Sequence, residues 1–248
     1  MAVAHGSKDP RAAATVSELL AVVRSRARAW GLAGLDVKAA FLDHCAPSLP
    51  QVLGSLDGAD CVVVPLLLTA AYHSKTDIPA KLAAARADVS LADTLGPHPL
   101  LLAALQRRLA AAGVAVGDPA ARARTSVVLA AAGSSDPAAN ATVATLAARW
   151  QARGGWRAVV PAYASAAGTR PGEAVSELLA GAPGPVVVAT YLLAPGLFAD
   201  KIREAGLRAG AAAVSPALGA APEIADVILE RYLAAVPAEL CGPLAARA

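Results

Sequence analysis

The chain has 248 residues, 56% of them hydrophobic but only 4% aromatic, so it can bury a sizeable core built from Ala, Val and Leu. Its net charge of +3, with no long Lys/Arg run, argues against a nucleic-acid stripe and suits an anionic small molecule. The longest apolar run, CVVVPLLLTAAY, is interrupted by Pro65 and is too short to span a bilayer.

The first predicted element is a short apolar strand, Met1–Ala4, ending at His5. Gly6-Ser7 reads as a turn, and Asp9-Pro10 as an N-cap followed by proline, opening a helix over Asp9–Trp30. A strand over Asp36–Leu42 runs into Asp43, and a helix follows over Ser48–Leu56. Cys61–Leu68 is a continuous apolar run, hence a buried strand, and Thr69–His73 form the loop after it. A fourth strand, Val89–Leu95, leads through His98 to a helix over Pro99–Ala112. Residues 113–125 carry Gly, Pro and Arg and read as a linker. The second half then runs strand (TSVVLAAAG), helix after Asp136-Pro137, strand (RAVVPAY), helix (RPGEAVSELLAG) and strand (GPVVVATYLLA). A loop, a strand (AAAVSPALG) and an amphipathic helix (APEIADVILERYLAAV) complete it.

The two halves are one unit written twice. Gly6–Leu19 aligned on Gly133–Leu146 gives 9 identities in 14 positions, and later landmarks recur in the same order. Strands alternating with helices imply parallel sheets built from βαβ units. The expected fold is therefore α/β, with two similar flavodoxin-like lobes arising from an internal duplication. Their expected extents are residues 1–115 and 124–248. The first strand is shorter than its copy, which leads us to expect truncation at its start.

In such sheets ligands bind beyond the carboxyl ends of the strands. His5, Asp43, Thr69–His73 and His98 all fall there. An isolated histidine is more often a core or capping residue than a ligand. Against that, His5 sits at a strand end ahead of a helix N-terminus, a place suited to anions. Asp43 can instead cap the turn after it, His44 either faces the other side of its strand or adds a third imidazole, and His98 between two prolines suits a loop role or a substrate contact. Lys8, Arg11, Lys75 and Lys81 are solvated charges by default, or receivers of carboxylates if they cluster near the histidines. Two histidines and a carboxylate on an open rim make a divalent-metal set for iron, cobalt, nickel or zinc.

Three stretches, AHGSKDP, FLDHCAPSL and VVVPLLLTAAYHSKTDIP, resemble the sirohydrochlorin chelatase family, the CbiX-type class II tetrapyrrole chelatases. The resemblance is to the long form, with two chelatase-like lobes facing each other across a cleft. It implies insertion of a divalent metal, Fe2+ or Co2+, into sirohydrochlorin, in sirohaem or cobalamin biosynthesis. His5 and His73 match the family's metal-binding and catalytic histidines. Asp43 stands where many members carry Glu, one methylene longer. Asp43, Ser7, Arg11, Leu68, Thr69, Ala70, Ala71 and Tyr72 are the expected substrate contacts. No cofactor is expected beyond the substrate metal. In the second half Ala132 replaces His5, Leu197 replaces His73 and Ala221 stands opposite His98, so one metal site per chain is expected. The alternative is a carrier that binds metal or tetrapyrrole without catalysis. The three cysteines, Cys45, Cys61 and Cys241, form no CxxC pair and favour neither a disulfide framework nor a zinc site. With no signal peptide read at the start, a cytoplasmic, monomeric protein free of membrane and nucleic-acid partners is expected.

Overall fold

A computed structural model describes residues 1–56, 60–84, 89–165 and 168–237. The first sheet holds β1 (Ala2–Ala4), β2 (Ala39–Phe41), β3 (Cys61–Pro65) and β4 (Val89–Leu91), in the order β2-β1-β3-β4. The second holds β5 (Ser126–Ala131), β6 (Ala158–Tyr163), β7 (Val186–Tyr191) and β8 (Ala213–Val214), in the order β6-β5-β7-β8. All pairings are parallel, and the two orders are the same arrangement repeated. The expected α/β architecture is what the structure has. β5 and β7 are buried at every residue, as strands covered on both faces must be. Pro161 lies within β6, an edge strand, where its missing N–H is tolerated.

The duplicated turn is explained by close packing. After β1, Gly6 has φ +90°, and a Cβ there would lie 1.8 Å from the Asp43 carbonyl oxygen. After β5, Gly133 has φ +85°, and its Cβ would lie 2.3 Å from the Ser165 carbonyl oxygen. Only glycine fits either place. Asp9 then caps α1 (Pro10–Ala29) by accepting from Arg11 N–H at 2.9 Å, and Asp136 caps α6 (Pro137–Gly154) by accepting from Ala138 N–H at 2.9 Å. Both helices carry proline at their first position.

The remaining helices are α2 (Leu49–Gly54), α3 (Ile78–Ala83), α4 (Pro99–Ala111), α5 (Pro119–Arg124), α7 (Pro171–Gly181), α8 (Leu197–Arg208) and α9 (Pro222–Ala235). Helix α8 lies where the sequence reads as a loop, α3 and the turn before it lie outside the expected helices, and α5 lies inside the expected linker. The fourth strands are shorter than expected: each sheet's edge pairs over only two or three residues before the chain turns away.

The chain divides into two compact units, Met1–Leu100 with Ala220–Ala248, and Leu101–Gly219. The sequential extents 1–115 and 124–248 do not describe this division. Helix α9 packs on α1 and β3, tied by a two-point ion pair from Arg26 to Asp226 at 2.7 and 2.6 Å. Arg231 of α9 donates from Nε to the Thr94 carbonyl at 2.8 Å, within the first unit. Arg108 of α4 donates from Nε to the Leu218 carbonyl at 2.7 Å, within the second. Each unit thus takes an arginine-bearing helix from outside its own sequential half. Among the described residues no helix is long and apolar enough to cross a membrane.

Candidate active site

His5 directly follows β1, and its carbonyl accepts from the Asp43 N–H at 2.9 Å. His73 opens a π-helical turn, His73–Asp77, that runs directly into α3. The two imidazoles meet: Nε2 to Nε2 is 3.0 Å, with the rings edge-to-face and their centroids 4.4 Å apart. The pairing across 68 residues of sequence is what the strand-end argument required. His5 is exposed and His73 half-buried, so the pair opens to solvent.

The partners of the outer nitrogens decide what the inner ones can do. His5 Nδ1 lies 3.1 Å from the Gly6 carbonyl oxygen, and His73 Nδ1 lies 3.2 Å from Asp77 Oδ2. Both partners only accept, so we assign the N–H to Nδ1 on each ring. Each neutral imidazole then presents a lone pair at Nε2. Two lone pairs 3.0 Å apart repel unless a cation, proton or metal ion, sits between them. Imidazole–metal bonds of about 2.0–2.1 Å, the length made to zinc, across the 3.0 Å gap give an N–metal–N angle of roughly 90–100°, a cis arrangement in an octahedral ion.

Asp77 is the residue that the sequence reading passed over. It accepts from His73 on one carboxylate oxygen and pairs with Lys81 on the other. The Lys81 ammonium, and then the His73 N–H, hold its carboxyl below the usual carboxylate range against the opposing effect of partial burial. Asp77 therefore remains an anion that fixes ring orientation and tautomer, as outer partners of ligating histidines do. The His-x-x-x-Asp-x-x-x-Lys spacing, which puts the three on one helical face, was the available signal.

The π-helical turn has a source in the duplication. Strand pairing matches Pro65 with Thr190, since Val3 pairs with Pro65 and Ala130 with Thr190. Ile78 and Ile202, both fully buried, fill the same place in the two cores. Between these landmarks the first lobe has thirteen steps (78 − 65) and the second twelve (202 − 190). The extra residue is absorbed where His73–Asp77 widen into π-helix, the usual signature of a one-residue insertion.

The other expected contacts fall as follows. Asp43 is exposed beside the turn, and among the described residues no group of three His, Cys, Asp or Glu side chains is placed to hold a metal. The expected two-histidine-plus-carboxylate set is thus reduced to the imidazole pair. Ser7 Oγ accepts from Asp9 N–H at 3.1 Å, as Ser134 Oγ does from Asp136 N–H at 3.0 Å, so both serines serve the turn. Arg11 pairs with Asp9 from Nε and Nη2, at 3.0 and 2.6 Å. Leu68, Thr69, Ala70 and Ala71 form the loop from β3 to Tyr72, which is 65% exposed beside His73. His98 is elsewhere: its Nδ1 accepts from Leu100 N–H at 3.2 Å and its Nε2 donates to Glu230 at 3.0 Å. His44 is exposed, with φ +63°.

Two copies of one parallel α/β unit, one bearing an imidazole pair at its strand ends, define a two-lobed chelatase-type α/β protein. The chain belongs to the CbiX family, whose model matches residues 1–112 and 126–235. It is 27% identical over 210 residues to a sirohydrochlorin cobaltochelatase of Priestia megaterium, covering 82% of this chain and 66% of that protein. The chain thus spans just under two thirds of that relative's length. Among solved structures it resembles SirB from Bacillus subtilis with Fe3+, at a TM-score of 0.76 and 24% identity, covering 98% of this chain and 96% of that one. SirB from Bacillus subtilis subspecies spizizenii in complex with cobalt gives a TM-score of 0.69 at 22% identity over 93% and 91% of the two chains. CbiX, described as the terminal enzyme for biosynthesis of sirohaem in denitrifying bacteria, gives 0.70 at 24% identity over 95% and 98%. At these identities the structural likenesses show the fold.

Proposed function

We propose that this chain inserts a divalent metal ion, Fe2+ or Co2+, into sirohydrochlorin, on a route to sirohaem or cobalamin. The observation that carries the proposal is the pair of Nε2 atoms 3.0 Å apart at the strand ends of a CbiX-family lobe. The metal is a substrate. It sits between the imidazoles and is held by two neutral donors, with its remaining positions left to water and then to pyrrole nitrogen. Two protein ligands hold an ion less firmly than three or four, which suits transfer. Insertion forms bonds from the metal to the macrocycle nitrogens and releases two pyrrole protons, M2+ plus the free macrocycle giving the metal complex plus two H+. As the ion leaves His5 and His73, the pair can take up one of those protons, shared between the two Nε2 atoms, and the other passes to water. Asp77 keeps His73 in the tautomer that can ligate. The Leu68–Tyr72 loop, with Asp43, receives the macrocycle beside the pair.

Imidazole accepts both iron and cobalt, so supply decides between them. The test is an anaerobic assay with sirohydrochlorin and Fe2+ or Co2+, following the macrocycle's visible absorbance. Acceleration over the spontaneous rate supports the proposal. Binding of both components without acceleration replaces it with the carrier reading.

A further inference from the structure

The two sheets repeat one another except at one corner. Val3 and Ala130 hold the same register place, so Met1 matches Val128. In the second sheet three buried residues, Thr125, Ser126 and Val127, precede that place. Ser126 and Val127 pair with Ala158 and Val159 on one side and with Val186 and Val187 on the other. In the first sheet the matching flanks are residues 36–37, leading into β2, and 61–62, opening β3. Among the described residues no strand runs between them. A cavity of about 740 Å³ lies there instead, lined by Met1, Asp36, Lys38, Cys61 and Val62, and by Val236 at the end of α9. All of this lining belongs to the first unit.

The backbone around the cavity is set for a strand. In a parallel ladder the N–H and C=O of one residue point to the same neighbour. The Lys38 carbonyl accepts from Ala2 N–H at 2.8 Å, and the Val62 carbonyl from the Met1 amino group at 2.7 Å. The Lys38 and Val62 N–H groups therefore also point to the line of β1. Residues continued back from Met1 in strand conformation bring one carbonyl to Lys38 N–H and the next to Val62 N–H. At the far end Ser126 N–H reaches the Pro185 carbonyl at 3.0 Å in the second lobe, and Asp60 stands where Pro185 does. Burial at this place disfavours the charge of the Met1 amino group and holds its pKa below the usual amine range. A peptide bond at that nitrogen keeps the bond to Val62 and removes the buried charge. The position is central in the sheet, which calls for apolar, β-branched residues.

We propose that this cavity is a strand-insertion site, which takes two or three extended, strand-forming residues joined in line to Met1 and completes β1 between β2 and β3. It lies at the opposite end of β1 from His5 and is independent of the chelatase reading. The test compares the chain with two extended forms. One carries Thr-Ser-Val, the second lobe's own residues 125–127, directly ahead of Met1. The other carries Gly-Asp-Pro there, which is equally long but brings a charge and lacks one backbone donor. Thermal midpoints and hydrogen exchange of the Lys38 and Val62 amides are read on all three. Thr-Ser-Val should slow exchange at both amides about tenfold or more and raise the midpoint by about 2–4 °C or more. Gly-Asp-Pro should do neither. Slowed exchange at both amides in the Thr-Ser-Val form alone carries the inference, and the midpoint measures its strength. Unchanged exchange in that form overturns it, whatever the midpoint does. Equal protection by Gly-Asp-Pro also overturns it, because length alone then suffices.

Discussion

Asp43 and Ser165 hold one and the same position: the Asp43 N–H donates to the His5 carbonyl at 2.9 Å, and the Ser165 N–H donates to the Ala132 carbonyl at 2.7 Å. Each also presents the carbonyl that Gly6 or Gly133 approaches. The turn, the glycine and the capped helix are therefore common scaffold. The side chains on that scaffold differ, imidazole on one copy and methyl on the other. Chemistry was added to, or kept on, a frame that folds without it.

The frame predicts how the histidine variants behave. His5→Ala recreates the side chain that Ala132 already has, and His5 is exposed, so stability should change little. His73→Ala removes a half-buried ring bonded to Asp77 and should cost slightly more. Both should abolish metal insertion and high-affinity cobalt binding. Thermal unfolding and cobalt calorimetry on the same samples check this. Turnover near the wild-type rate in either variant would sink the assignment of the pair.

Asp77 gives a pH prediction with a definite sign. Its folded pKa lies below the ordinary aspartate range, chiefly because Lys81 bonds to it and then because His73 does. A depressed carboxyl contributes stability that is complete above the unfolded pKa and is lost as pH falls through the folded one. The stability gap between wild type and Asp77→Asn should be constant above about pH 5 and close below about pH 4. Both Asp77 and Lys81 are partly solvent-exposed, so the gap should be small and shrink with salt. Denaturation midpoints across pH 2–7 at two salt concentrations measure it. Asp77→Asn should also weaken cobalt binding about 10–100-fold, since an amide holds the ring less firmly than a carboxylate. A gap that widens toward acid, or cobalt binding unchanged, contradicts this role.

The duplicated G-S-x-D-P turn was legible because each letter has a separate local cause: close approach at Gly6, capping by Asp9, helix entry at Pro10. The His5–His73 pair was legible because parallel strands bring their ends to one rim. Helix α8 was not, because only Ile202 and Gly206 among its residues are buried, too few to write an apolar stripe, and Pro195-Gly196 reads as a loop. The exchange of α4 and α9 between units was not legible either. It depends on packing between residues some two hundred positions apart, such as Arg26 and Asp226, which no local pattern encodes. Asp77 stands in plain i, i+4 spacing from His73 and Lys81, but a carboxylate at that spacing has the pattern of any solvated helix charge.

Cys45 yields a third prediction. Its thiol donates to the Ser7 carbonyl at 3.2 Å, and its sulfur accepts from the Ser7 N–H at 3.5 Å. In the second lobe Asn140 makes the same two bonds to Ser134, at 2.8 and 3.0 Å. Different side chains thus clamp the same turn, and the thiol is the weaker clamp. Cys45→Ala should lower stability by about 0.5–1.5 kcal/mol and loosen the turn that carries His5. Cobalt affinity should then fall while Cys45→Ser keeps most of it. Urea unfolding and cobalt titration of both variants read the two effects. A Cys45→Ala protein as stable and as tight as wild type would show that the clamp holds nothing of consequence.

The π-helical turn gives the last. The first lobe carries one residue more than the second between Pro65 and Ile78, and the surplus widens His73–Asp77. Removing exposed Thr76 restores the second lobe's count, with which α8 forms an ordinary helix while Ile202 stays buried. The shortened segment should therefore fold, with Ile78 still seated and a thermal midpoint within a few degrees of wild type. Each residue of helix turns the chain by about 100°, so with Ile78 fixed, His73 swings away from His5. The deletion should then lose cobalt binding and insertion together, although both histidines, Asp77 and Lys81 remain in the chain. A single substitution, Thr76→Ala, keeps the count and should keep both activities. Retention of tight cobalt binding by a folded deletion variant would mean that the extra residue does not position His73.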